Sequence, residues 1–142
     1  MSNKYKLDNT SYSLYTLTEL KMDQARLKDI YYFVDGRGNS PVKEFIKALS
    51  LDDRAKVFAY IGELKKQGNN LRRPLADYSG SGIYELRPKV NRIFYFFFHK
   101  DSAILIHALR KKTDKVPKKC LELCVERKAF VEESMRIEKL DL

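Results

Sequence analysis

The chain has 142 residues, 44% of them hydrophobic and 33% charged, so we expect one globular domain with its own hydrophobic core. Its formal net charge of +9 and pI near 9.5 favour a polyanionic partner such as nucleic acid, or an acidic protein. The longest apolar run, residues 93–98, is six residues long and far too short to span a bilayer, so we expect no membrane partner.

The two cysteines, Cys120 and Cys124, lie four residues apart and would share one face of a helix. We interpret them as small, semi-buried apolar residues. A zinc site would need two more ligands, and the only histidines, His99 and His107, lack the spacing of a zinc finger. We therefore expect no metal, no cofactor and no disulfide framework. This cysteine usage and the lack of an apolar leader predict a cytoplasmic protein.

The first residues, 1–28, are predicted to be an N-terminal extension to a domain that spans residues 29–142. Residues 1–16 are polar without a sustained hydrophobic period, which is typical of a poorly ordered tail. A short amphipathic helix is possible after the tail. Its apolar face would be formed by Leu17, Leu20, Gln24 and Leu27.

The first strand is predicted over residues 29–35, which are rich in aromatic and β-branched side chains. A helical hairpin is predicted over residues 40–68. Ser40 and Ser50 precede its two apolar periodic segments and are expected to be N-caps, and Gly68 is expected to end the second helix.

Residues 69–82 are predicted to form a loop. We interpret its arginines, Arg72 and Arg73, as solvated loop side chains in preference to contacts for an RNA backbone. Three strands joined by short turns then follow, over residues 83–89, 92–100 and 103–111. The middle one is apolar on both faces, which is typical of a central strand covered on both sides.

A final helix is predicted to begin at Pro117 and to continue through the mixed-charge residues after Glu132. Its packing face is predicted to contain Leu121, Cys124, Val125 and Ala129. The element order β-α-α-β-β-β-α predicts an α+β fold. In it, an antiparallel meander is packed by helices on one face and partly free on the other.

Residues 83–119 carry +7 of the chain's net charge of +9, since they contain ten Lys or Arg against three Asp or Glu. A dense apolar core run therefore lies inside the most basic part of the chain. That combination predicts a sheet with a phosphate-binding face.

The same region resembles the RelE/ParE toxin superfamily and is most similar to its HigB-like, phage-derived group. Three ordered motifs carry the resemblance: Gly-x-Tyr-Glu-Leu-Arg at residues 82–87, Arg-x-x-Tyr-Phe at 92–96 and Lys-Lys-Thr-x-x-x-Pro at 111–117. The resemblance covers about residues 30–132 and implies a RelE-like fold. The N-terminal extension departs from the family pattern, as does Leu109, where the family often has an aromatic residue.

The resemblance implies a bacterial type II toxin, an endoribonuclease that enters the ribosomal A site and cuts mRNA there without a metal. It also implies contacts to ribosomal RNA and a cognate antitoxin, expected to be a HigA-like helix-turn-helix protein. Two alternatives stay open. The ParE branch of the superfamily poisons gyrase and is not a nuclease, and the chain could also be a non-catalytic RNA-binding module.

In this type of cleavage the ribose 2′-OH attacks the adjacent phosphorus and expels the 5′-oxygen. We expect Arg87 and Arg92 to clamp phosphates through their guanidinium forks. Lys111 and Lys112 are expected to stabilise the transition state and transfer protons, because neighbouring cations lower the pKa of a lysine. Only one of the two lysines is expected to face the site, since neighbours in a strand point opposite ways. Glu85 is expected to hold Arg87.

Tyr84 and Tyr95 are candidates to stack a base or orient the 2′-OH, with packing in the aromatic core as the alternative for Tyr95. His107 is interpreted as a half-buried core histidine with one hydrogen bond in preference to a catalytic base. Further contacts to RNA are expected from the basic residues around the last corner. They are Arg110, Lys115, Lys118 and Lys119.

Overall fold

The computed structural model of the chain describes residues 25–113 and 115–141. Most of the predicted extension and its helix lie outside these residues. Its described end, residues 25–28, packs on the domain: Leu27 is buried in the core, and its amide donates a hydrogen bond of 2.8 Å to the carbonyl of Lys65.

Within the described residues the chain forms a mixed α+β structure with three helices and one six-stranded sheet, which confirms the expected class and is compatible with a RelE-like fold. The sheet order is β2-β3-β4-β5-β1-β6; β1 and β5 are parallel and the other pairs are antiparallel. The elements are β1 Asp29–Phe33, α1 Pro41–Lys47, α2 Leu51–Gln67, β2 Ala76–Gly80, β3 Ile83–Leu86, β4 Asn91–Phe98, β5 Ser102–Arg110, α3 Lys118–Ser134 and β6 Ile137–Lys139.

The helical hairpin that follows β1 is confirmed. Ser50 caps α2, because its side-chain oxygen accepts a 3.2 Å hydrogen bond from the amide of Asp53, and Gly68 ends that helix. Ser40 precedes α1 as predicted, although its side chain makes no capping hydrogen bond. None of the helices in the described part of the chain is long and apolar enough to cross a membrane.

The sheet is covered by helices on both faces, so the predicted one-sided packing is wrong. On the first face, α1 and α2 bury Ile46, Val57 and Ile61 against a core that includes Ile93 and Leu105. On the second face, α3 closes another core. That core includes Cys120, Cys124 and Val131 from the helix and Phe33, Phe94, Phe96, Ile104 and Ile106 from the sheet. Both thiols are therefore buried and free, in keeping with their interpretation as small apolar residues.

The packing face of α3 differs from the predicted one, because Val125 and Ala129 are exposed. The inner side of the helix carries Arg127, whose guanidinium carbon lies 5.0 Å from the ring centroid of Phe33. A long cationic side chain packs its stem on an aromatic ring and keeps its charge partly solvated. Such residues do not register in a hydrophobic period, so the apolar pattern of this helix was right for Leu121 and Cys124 and wrong for Val125 and Ala129.

The predicted loop over residues 69–82 contains a strand, β2, that sequence reasoning missed. Its residues include Asp77, Ser79 and Gly80, which have low strand propensity. A two-residue turn of Ser81 and Gly82, with φ of 55° and 77°, folds β2 onto β3 as a hairpin. The strand therefore forms because of this turn and its pairing partner.

The predicted helix after Glu132 is also wrong, because α3 ends at Ser134. Met135 takes a left-handed conformation with φ of 58° and closes the helix through its amide, which bonds to the carbonyl of Val131. The chain then reverses and forms β6, which pairs antiparallel with β1. Methionine is not a typical left-handed residue, so no sequence signal marked this end.

Two glycines, Gly62 within α2 and Gly68 just after it, give a matched test of the close packing between residues 25–28 and this helix. Gly68 has a φ of +52°, and a Cβ there would lie 1.9 Å from the Ala25 carbonyl oxygen, whereas a Cβ at Gly62 meets nothing within 4 Å. We expect Gly68→Ala to lower the free energy of unfolding by about 2 kcal/mol or more, through backbone strain and the clash. Gly62→Ala is expected to raise it by about 0.5–1 kcal/mol. Urea denaturation measures both; shifts of the same sign would contradict the assigned geometry.

Candidate functional site

A cavity of about 320 Å³ lies on the second face of the sheet, between strands β2 to β4 and the start of α3. We call it the arginine cavity. Its charged lining residues are Arg73, Asp77, Glu85, Arg87 and Lys118, and its apolar ones include Phe94, Val116, Pro117 and Leu121. The cavity thus combines three cationic side chains with two carboxylates.

The carboxylates hold the two arginines in place. Arg87 Nη1 donates to Glu85 Oε1 at 2.7 Å and lies 3.9 Å from Asp77 Oδ2. Arg73 donates to the same Asp77 oxygen from Nε at 2.9 Å and from Nη2 at 2.7 Å. The pKa of Asp77 is lowered, first by the hydrogen bond from Arg73. Among the described residues, Glu85 is the hydrogen-bond acceptor of the Arg87 guanidinium, so other N–H groups of that fork stay available to a ligand.

Strand alternation brings these residues to one face. Asp77 of β2 lies opposite Glu85 of β3, which in turn lies opposite Phe94 of β4. One position away, Tyr78, Tyr84 and Tyr95 form the equivalent row on the first face. The side chains of β3 therefore alternate, with Glu85 and Ile83 on the face opposite to Tyr84 and Leu86.

The first turn of α3 adds a further electrostatic contribution. The residue before the helix, Pro117, provides no side-chain cap, and the first turn contains no acidic residue. The amide groups at this end of a helix have no partner within it, and the helix dipole makes the end positive. Since Pro117 and Lys118 line the arginine cavity, this positive end adds to the charges of Arg73 and Arg87.

A second cavity, of about 220 Å³, adjoins the first. We call it the lysine cavity. Its lining residues are Leu109, Arg110, Lys111, Lys112, Thr113, Lys115, Val116 and Pro117. It shares Val116 and Pro117 with the arginine cavity. The structure therefore brings Lys111 and Lys112 together with Arg110 and Lys115, next to the cavity that contains Arg87. The Lys111 amide donates to the Val90 carbonyl at 2.6 Å, and Lys111 and Lys112 both line this cavity. Lys119 lies exposed in the first turn of α3.

The structure places Arg92 apart from both cavities. Its guanidinium is buried, and Nη1 donates at 2.8 Å to the carbonyls of Lys89 and Asn91 in the turn before β4. Burial lowers the pKa of Arg92. A phosphate contact by this residue would require the guanidinium to leave these carbonyls.

The two predicted RNA-binding tyrosines lie on the first face, opposite to Arg87. Tyr95 is 1% exposed, and burial raises its pKa. Its ring is stacked on that of Tyr84, with 5.5 Å between the centroids. Tyr95 therefore packs in the aromatic core, which was the expected alternative to a contact with RNA.

His107 has the environment of a core histidine. Its ring stacks on Phe94 with 5.9 Å between centroids, and its Nδ1 lies 3.3 Å from Arg127 Nη1. Among the described residues, no group of three or more His, Cys, Asp or Glu is arranged to hold a metal ion.

Sequence reasoning missed the contribution of β2 to this site. Asp77 and the paired Arg73 were part of a predicted loop, and only the turn residues Ser81 and Gly82 indicated a hairpin there. Recognition of that hairpin would have placed Asp77 opposite Glu85, and hence beside Arg87.

Comparison with known proteins supports the family resemblance. A family model described as "Phage derived protein Gp49-like (DUF891)" matches residues 44–129, which include β2 to β5 and the lining of both cavities. No curated protein matches the chain. The matched region is more than half of the chain, so the protein belongs to the Gp49-like family, which is part of the RelE/ParE-like toxin superfamily.

Proposed function

We propose that the protein is a HigB-like type II toxin of the cytoplasm, which cuts mRNA in the A site of the ribosome. The observation that carries this proposal is the pair of adjoining cationic cavities, one with a fixed arginine fork and one with clustered lysines. Membership in a toxin superfamily supports the same conclusion. A HigA-like antitoxin is the proposed neutralising partner.

In the proposed mechanism, Arg87 binds the scissile phosphate. A guanidinium fork matches two phosphate oxygens and stabilises the charge that grows on them as the 2′-oxygen attacks. Glu85 and Asp77 fix the fork before the substrate arrives, so little reorganisation is needed at the moment of reaction. The positive end of α3 and the neighbouring Arg73 add to this stabilisation.

The reaction also needs proton transfer. The 2′-oxygen loses its proton as it bonds to phosphorus, and the 5′-oxygen gains a proton as its bond to phosphorus breaks. We assign these transfers to Lys111 and Lys112, which line the lysine cavity beside the arginine cavity. Arg92 is proposed to contact a neighbouring phosphate after release from its carbonyl partners.

The exposed cations around the site have a separate proposed role. Arg110, Lys115, Lys118 and Lys119 would contact phosphates of ribosomal RNA, which gives affinity without sequence information. Such contacts release counterions. Binding of the protein to ribosomes should therefore weaken steeply as salt is raised.

The test is a cleavage assay with purified protein, a short mRNA and ribosomes stalled with a chosen codon in the A site. We expect cuts in that codon only when ribosomes are present, with 5′-hydroxyl and 2′,3′-cyclic phosphate ends at the cut. Mapping of the new 5′ ends locates the cuts. A need for phosphorylation by a kinase before ligation identifies the 5′-hydroxyl ends. Intact mRNA would contradict the proposal; inhibited DNA supercoiling by gyrase with intact mRNA would favour the ParE-like alternative.

A further inference from the structure

Three tyrosines form an aromatic row across the edge of the sheet, on the face opposite to the arginine cavity. The ring centroids of Tyr78 and Tyr84 are 4.9 Å apart, and those of Tyr84 and Tyr95 are 5.5 Å apart. Exposure rises steeply along the row, from 1% at Tyr95 to 55% at Tyr78. Because β2 is an edge strand, no further strand among the described residues continues the row beyond Tyr78.

The outermost ring is held in place although it is exposed. The Tyr78 hydroxyl accepts a 2.9 Å hydrogen bond from the amide of Gly82 across the hairpin turn, and the Tyr84 ring supports it from the inner side. A large exposed aromatic residue that is fixed in this way loses little freedom when a flat ligand stacks on it.

A cavity of about 430 Å³ opens beside this ring and is lined by Leu71, Arg72, Asp77, Tyr78, Gly82 and Tyr84. Arg72 lines this cavity and is exposed, and its Nη1 donates hydrogen bonds to the carbonyls of Asn69 and Leu71. Asp77 lines both this cavity and the arginine cavity. The two cavities therefore meet at the β2 edge, one on each side of it.

We propose that Tyr78 and Arg72 form a subsite for one unpaired RNA nucleotide, whose base stacks on Tyr78 and whose phosphate lies near Arg72. This inference rests on the proposed function and deepens it, since it extends the path of the RNA strand from the arginine cavity over the β2 edge. Every RNA base has a flat π-face, so stacking on an exposed tyrosine does not depend on the sequence. Such stacking suits a single strand. A cation beside the ring suits the phosphate that accompanies each base.

The experiment measures the affinity of the purified full chain for a short single-stranded RNA without ribosomes. We expect Tyr78→Ala to weaken binding about 5- to 100-fold, the range for loss of one stacked base. Tyr78→Phe should bind within about twofold of the unchanged protein, because it keeps the ring. The matched control is Val125→Ala, a change at an exposed apolar residue on the opposite face, which should leave the affinity unchanged. The circular dichroism spectrum and the urea midpoint of each variant establish that it is folded.

An RNA series with one abasic nucleotide at successive positions locates the base. At one position the loss caused by Tyr78→Ala should disappear, because the base that stacks on Tyr78 is already missing. Equal affinity of the unchanged protein and Tyr78→Ala, or the same loss with every abasic RNA, would overturn the subsite. If Tyr78→Ala instead weakens only antitoxin binding, the surface serves a protein partner and the proposal is wrong. The RNA-binding measurements are made without ribosomes and do not depend on mRNA cleavage. The subsite and the proposed activity can therefore fail separately.

Discussion

The Arg87→Lys variant should cut mRNA on the ribosome about 100- to 1,000-fold more slowly than the unchanged protein, the loss typical of one transition-state donor. Lysine keeps the positive charge beside Glu85 but cannot offer two parallel N–H groups to a phosphate. The structure fixes this fork through the 2.7 Å hydrogen bond to Glu85. Single-turnover cleavage rates on stalled ribosomes measure the effect.

Lysine is the informative substitution because alanine would have a second effect. Removal of the Arg87 charge would leave the buried carboxylate of Glu85 unpaired, which costs about 3–5 kcal/mol of stability. The matched control is Arg136→Lys. Arg136 lies between α3 and β6, where its Nε donates to the Asp35 carbonyl, and its replacement should leave the cleavage rate unchanged. Full activity of Arg87→Lys would remove Arg87 from the proposed catalytic set.

The Phe96→Ala variant should lose about 3–5 kcal/mol of unfolding free energy, as expected for removal of a fully buried aromatic ring. Phe96 is 1% exposed and lies under α3, with Lys128 Nζ 5.6 Å from its ring centroid. A partly free second face would allow this ring to be lost at little cost. The size of the effect therefore tests whether α3 closes this face.

Urea denaturation monitored by circular dichroism measures this change. Val125→Ala is the control on the same helix: its side chain is exposed, and its removal should change stability by no more than about 0.5 kcal/mol. A loss below about 1 kcal/mol for Phe96→Ala would show that α3 does not protect the second core.

The sequence predicted the elements whose local signals agree with their tertiary packing. Ser50 and Gly68 marked the ends of α2, and both are confirmed. The apolar pattern of β4 indicated a strand covered on both sides, and the structure confirms it: Phe94 and Phe96 pack under α3, while Ile93 and Tyr95 pack under α1 and α2. The apolar pattern of β4 thus indicated cover on both faces, whereas the fold prediction placed helices on only one face and was wrong.

The errors arose where packing outweighs propensity. On α3, Arg127 faces the sheet, and the hydrophobic period placed Val125 and Ala129 on the packing face in error. The strands β2 and β6 exist because partners pair with them, and their short polar sequences gave no strand signal.

The site was predictable only in part, for a related reason. Motif resemblance identified Arg87, Lys111 and Lys112 as site candidates, and the structure places them in two adjoining cavities. Their proposed roles stay predictions. Resemblance could not show that Arg92 turns toward nearby carbonyls, because the direction of a long side chain depends on local acceptors.

The parallel pairing of β1 with β5 has a consequence for biosynthesis. Asp29 is paired with Ser102, so β1 can pair with β5 only after almost the whole sheet has been synthesised. Contacts of such long sequence separation slow folding, and we expect this strand pair to form after the local hairpins. The lysine cavity and α3 are encoded later still. A nascent chain interrupted before β5 can therefore complete neither cavity, and the proposed nuclease site would be assembled only after the start of α3 has been synthesised.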